Sequence, residues 1–76
     1  MEYRIIKSIA VLGRNQYGIK ELNIVRWFDK HDRFDIRIWT EDHKHFKGGI
    51  TFSYQELYNL KESLDEWFQS EDGVYG

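Results

Sequence analysis

Short runs of apolar and β-branched residues with polar residues between them recur along this chain as far as Phe52, and at Ser53 the spacing changes to that of a helix. Tyr3 to Leu12, rich in Ile and Val with polar residues between, reads as a first strand. Gly13 to Gly18, with Asn15 inside it, reads as a turn or flexible loop. Leu22 to Phe28 is a second strand, joined by the polar Lys30-His31-Asp32-Arg33 connection to a third at Phe34 to Thr40. Glu41 to Gly49 is expected to be a polar loop before a short fourth strand, Ile50 to Phe52.

Ser53 followed by Glu56 is a capping box, in which each side chain satisfies a free backbone N–H at a helix start. Leu57, Leu60, Leu64 and Trp67 then recur on one helical face, with Glu56, Glu62, Asp65 and Glu66 on the others. This order predicts an α+β domain over residues 1–70, a four-stranded antiparallel sheet followed by one C-terminal helix. Residues 71–76 are expected to form a flexible tail.

Side chains alternate across a strand, so the central strands sort into faces. Phe34, Ile36, Ile38 and Thr40 share one face of the third strand, and Phe34, Ile36 and Ile38 are the natural partners of the helical leucines. The other face carries Asp35, Arg37 and Trp39, joined by Arg26 and Phe28 if the hairpin register agrees. Basic residues interleaved with aromatics suit a nucleic-acid single strand, whose bases stack on rings and whose phosphates attract cations. The competing reading is a solvated sheet face with ordinary cross-strand pairs. Trp27 and Trp67 are assigned to the core or to a dimer contact.

Composition sharpens this picture. The chain has 76 residues, and one this short buries only about 60% of its unfolded surface. It has no cysteine, so neither a disulfide nor a thiolate-metal site can reinforce the core, and dimerisation is the remaining source of buried apolar area. Aromatic residues make up 17%, more than so small a core readily holds. The net charge of −2 is unevenly divided: residues 1–52 hold ten Lys and Arg against seven Asp and Glu, whereas residues 53–76 hold one Lys against six acids. No apolar run approaches the roughly 20 residues that span a bilayer, and Met1-Glu2-Tyr3-Arg4 does not open a secretory signal, so the cytoplasm is the expected location.

The run KELNIVRWFDKHDRFDIRIWTEDHKHFKGGITFSYQEL resembles the transcriptional coactivator family of positive cofactor four, in particular its bacterial YdbC-like branch. The likeness extends over residues 3–68, with KELN entering the second strand, FDIRIW in the third, and a Gly-Ile-Thr step leading into the capped helix. It implies a strongly curved sheet paired into a symmetric homodimer that binds single-stranded DNA with little sequence preference. It further implies a link to transcription regulation or DNA maintenance, and a place near the nucleoid in a bacterium. Carried onto this chain, the likeness marks Arg37 and Trp39 in the third strand, Arg26 and Phe28 in the second, Lys20 before ELN, and Lys44 and Lys47 in the following loop. Two departures stand out: Gly48 occupies the position before Gly-Ile where the family often has lysine, and no basic tail is present.

No nucleophile elbow, P-loop or dinucleotide fingerprint occurs, and the three histidines read as solvated loop side chains rather than metal ligands. The expectation is a binding module, not an enzyme, with no cofactor. Its partner would be single-stranded DNA, or single-stranded RNA, since stacking separates the two weakly. The alternative is a protein-interaction module whose acidic helix, through Glu62, Asp65 and Glu66, binds a basic partner such as a component of the transcription machinery.

Overall fold

The computed structural model describes residues 2–28 and 30–70. Four antiparallel strands, β1 (Tyr3–Asn15), β2 (Gly18–Trp27), β3 (Asp32–Trp39) and β4 (Phe46–Phe52), pair in sequence order, and helix α1 (Tyr54–Gln69) follows. The ββββα order is the expected one. The sequence-predicted tail at 71–76 lies outside the described residues. No helix among the described residues is long and apolar enough to cross a membrane.

Several strand ends differ from expectation, each for a physical reason. β1 runs on through Gly13 to Asn15, because the turn needs only Gln16 and Tyr17, with the Asn15 Oδ1 accepting the Tyr17 N–H at 2.7 Å. β2 consequently starts at Gly18, not Leu22, and stops at Trp27, before Phe28, whose φ of 56° cannot continue a strand. β3 starts earlier, at Asp32, and closes at Trp39. β4 starts at Phe46 rather than Ile50, since Gly48 and Gly49 form a bulge instead of ending a loop: Ile36 faces Ile50 and Ile38 faces Lys47, so both glycines oppose Arg37.

Bulges also explain the shape of the sheet. β1 slips register against β2 between Ile5 and Lys7, Ser8 and Ala10, and Val11 and Gly13. Each slip adds twist and bends the strand. The sheet therefore curls until Tyr3 of β1 reaches across to the far strands, its ring 5.4 Å from Trp39 and 5.7 Å from Phe46. The inner face so closed holds the buried apolar residues Ile19, Val25 and Trp39 together with the buried polar residues Glu21, Asn23 and Asp35.

The helix lies against the outer face. The Ser53 Oγ accepts the Glu56 N–H at 3.1 Å and a Glu56 carboxylate oxygen accepts the Ser53 N–H at 2.8 Å, the expected capping box. Leu57, Leu60 and Leu64 face Leu12, Leu22 and Ile36 across a groove of about 380 Å³ that stays open to solvent. Tyr54 meets Phe34, with ring centroids 6.3 Å apart. Among the described residues none of α1 is fully buried, and Trp67 belongs to no core within one chain.

Candidate nucleic-acid interface

Register decides which candidate residues share a surface. In the β2–β3 ladder Glu21 faces Arg37, Asn23 faces Asp35 and Arg26 faces Asp32. Arg37 and Trp39 therefore lie on the inner face, and Arg26 lies on the outer face with Phe34 and Ile36. The expected four-residue platform is not assembled. Arg26 donates through Nε to Asp32 at 2.7 Å, and Phe28 sits beyond the strand end with its ring exposed.

Trp39 is 0% exposed, enclosed by Tyr3, Phe46 and the His43 ring, so it offers no face to a base within one chain. It is a core residue. Arg37 is half-buried: its guanidinium forks onto the Asp35 carboxylate at 2.6–2.9 Å and lies 4.4 Å from the Trp27 ring centroid and 5.0 Å from that of Phe46. A buried carboxylate needs such a partner, and the two rings favour the cation over their faces. Trp27 is only half-buried, packed on Tyr3 at 5.6 Å and Phe46 at 5.3 Å.

The structure does bring three candidates together. Lys20, Arg37 and Lys47 line one depression of about 400 Å³ together with Gly48, Gly49, Ile50, Ile36 and Ile38. Lys20 and Lys47 occupy one cross-strand row through Ile38. Neither lysine forms an ion pair with another described residue. Lys47 also borders an adjoining depression of about 260 Å³ lined by Tyr17, Thr40, His45 and Phe46, and its Nζ stands 4.7 Å from the Tyr17 ring centroid. Tyr17 is 59% exposed. Nothing stands within 4 Å of a Cβ placed on Gly48, so that edge is open to a chain-like ligand, whereas the Arg37 side chain covers Gly49.

A second basic and aromatic corner, at the other end of the strands, joins Trp27, Phe28, Lys30, His31, Arg33 and Thr51. Lys44 is exposed on the loop between β3 and β4, its backbone N–H held by Asp42 Oδ1 at 2.9 Å. That hydrogen bond, after the stronger one from the Thr40 hydroxyl, holds the Asp42 carboxyl below its usual value.

Sequence reasoning missed Tyr17 because a turn aromatic carries no periodicity; its signal was an exposed ring set between Asn15 and Gly18. It also read His43 as solvated, whereas the ring bonds Glu21 at 3.0 Å. Among the described residues no three His, Asp or Glu side chains gather as a metal site would require. In comparisons with known proteins, no family model matches the chain and no curated protein matches it.

Proposed function

We propose that the protein is a homodimeric module that binds single-stranded DNA, or single-stranded RNA, with little sequence specificity, and that it catalyses no reaction. The observation that carries the reading is the depression lined by Lys20 and Lys47, which share a cross-strand row through Ile38 beside Gly48, with the exposed Tyr17 ring next to Lys47. Cations track phosphates and an exposed ring stacks a base for about 1–3 kcal/mol, without reading sequence. Phe28, with Lys30 and Arg33, extends the same chemistry to the far end of the sheet. The likeness to the positive cofactor four family points the same way. On it alone rest a role in transcription regulation or DNA maintenance and a cytoplasmic, nucleoid-associated location.

The homodimer is supported by the open apolar groove between α1 and the outer sheet face, since a chain with so small a closed core gains by covering it. The competing acidic-helix reading is weaker, because Lys61 already engages Asp65 at 2.8 Å and Glu62 at 3.7 Å.

The test is titration of a labelled oligo-dT at two salt concentrations, with duplex DNA and single-stranded RNA alongside. Saturable binding that prefers the single strand and weakens with salt supports the proposal. Folded protein that leaves the oligonucleotide free at low salt overturns it.

A further inference from the structure

We infer that Glu21 and His43 form a proton-operated latch that fastens the loop between β3 and β4 to the inner face of the sheet. The loop, residues 40–45, is organised by Asp42, whose Oδ1 accepts the Thr40 hydroxyl at 2.7 Å and the Lys44 N–H at 2.9 Å. Its base is closed by the Thr40 N–H donating to the His45 carbonyl at 3.0 Å. His43 takes a left-handed φ of 59°, a conformation that costs a non-glycine residue about 1–2 kcal/mol, so something must hold the ring where it is. The ring lies 5.6 Å from that of Trp39, and the His43 carbonyl accepts the Tyr3 hydroxyl.

The two ring nitrogens reveal what the latch requires. Nε2 stands 3.0 Å from each carboxylate oxygen of Glu21, and Nδ1 stands 3.1 Å from the Glu41 carbonyl oxygen. Both partners are acceptors. A neutral imidazole has one N–H, so one of these contacts would set lone pair against lone pair; only with a further proton shared by the His43–Glu21 pair are both satisfied. Glu21 is 6% exposed and has few other means of compensation. Asn23 Nδ2 donates to its Oε1 at 2.9 Å, and its cross-strand neighbour Arg37 is committed to Asp35.

The charged and titratable groups around His43 are thus Tyr3 from β1, Glu21 from β2, Arg37 with Asp35 from β3, and Glu41, Asp42, Lys44 and His45 of its own loop; β4 contributes the neutral Phe46. The latched form binds one proton more than the released form. Gain of that proton therefore favours the latched form and its loss the released form. Lys44 rides on this loop, so nucleic-acid affinity inherits the dependence only if the proposed function is right. The latch itself is read on the free protein, which keeps the two failures distinguishable.

The experiment is amide hydrogen exchange at Thr40, corrected for intrinsic rates, between about pH 5 and 8. In the wild type, protection of the Thr40 amide is expected to fall about tenfold as pH rises, the size of one lost hydrogen bond to a charged group. In Glu21→Gln the amide donates to a neutral Nε2 while Nδ1–H still donates to Glu41, so protection is expected to stay flat. Invariant protection in the wild type, or the same fall in folded Glu21→Gln, overturns the latch. Should that variant not fold, ring 15N spectra of the wild type decide. Two ring N–H groups on His43, or one with the carbonyl and carboxylate contacts bridged by a protonated Glu21, support the latch. Retention of both contacts by a neutral ring and an ionised Glu21 overturns it.

Discussion

Gly49 lies opposite Arg37 in the β4 bulge, and the stem of the arginine lies on the glycine's backbone: a Cβ on Gly49 would stand 2.7 Å from the Arg37 Cβ and 2.8 Å from its Cζ. Gly49 also adopts a φ of 145°, which side-chain-bearing residues rarely reach. The bulge thus seats the guanidinium between the Asp35 carboxylate and the rings of Trp27 and Phe46.

Gly49→Ala is therefore expected to destabilise the fold by about 1–3 kcal/mol, combining backbone strain with the displaced arginine. Gly48 is the internal control, since its φ of 58° lies in the left-handed region and nothing stands within 4 Å of its missing Cβ. Gly48→Ala is expected to cost only about 1 kcal/mol. Urea unfolding of the two variants checks the order, and equal losses would show that Arg37 is not pinned by Gly49.

On the nucleic-acid side, each of Lys20→Ala and Lys47→Ala is expected to lower the slope of log affinity against log salt by about 0.7, the share of one phosphate contact with a single strand. Tyr17→Ala is expected to weaken binding by about 1–3 kcal/mol while leaving that slope alone. Trp39→Ala, by contrast, is expected to cost about 3–5 kcal/mol of stability, because it empties the centre of the inner face. Binding and unfolding curves on the same four variants separate contact from core.

Where the sequence was readable, the signal was local. Ser53 with Glu56 and the leucines at 57, 60 and 64 announce α1 because capping and helical period both act within a few residues. Alternation likewise sorted Asp35, Arg37 and Trp39 onto one face of β3, which they do share. What alternation does not contain is which face becomes covered. Trp39 is buried because bulges in β1 carry Tyr3 across the inner face, and three register slips leave no periodic trace. The position of Arg26 was likewise beyond reach. A one-residue change in hairpin register moves a whole strand's side chains to the opposite face, and here β2 ends at Trp27, just before Phe28 with its positive φ. Gly48 and Gly49 read as loop for a related reason, since glycine is depleted in strands and marks a bulge only once its partner strand is known.

The helix start responds to acid with a definite sign. The Ser53 backbone N–H, and then its hydroxyl, hold the Glu56 carboxyl below its ordinary value of 4.5. A carboxyl whose folded value is lowered stabilises the fold above its unfolded value and loses that contribution as pH falls through the folded one. Helical circular dichroism is therefore expected to decline below pH 4.5 more in the wild type than in Glu56→Gln, which cannot ionise. Ser53→Ala removes the other half of the box and is expected to cost about 0.5–2 kcal/mol at neutral pH. Identical acid profiles for the wild type and Glu56→Gln would show that the box does not titrate with folding.

The apolar groove supplies the remaining prediction. Leu64 closes its helical wall yet is 45% exposed within one chain, so its side chain contributes modestly to the folded monomer. If a second copy covers the groove, Leu64→Glu places a charge inside that contact. A buried unpaired charge is far more costly than the loss of exposed apolar area. The variant is expected to sediment as a folded monomer where the wild type sediments as a dimer, with the sheet's circular dichroism unchanged. The same substitution is also expected to lower apparent thermal stability at high protein concentration more than at low, because only the wild type gains from association by mass action. A wild type that is monomeric at every concentration would leave the groove to another occupant and remove the dimer from the proposed function.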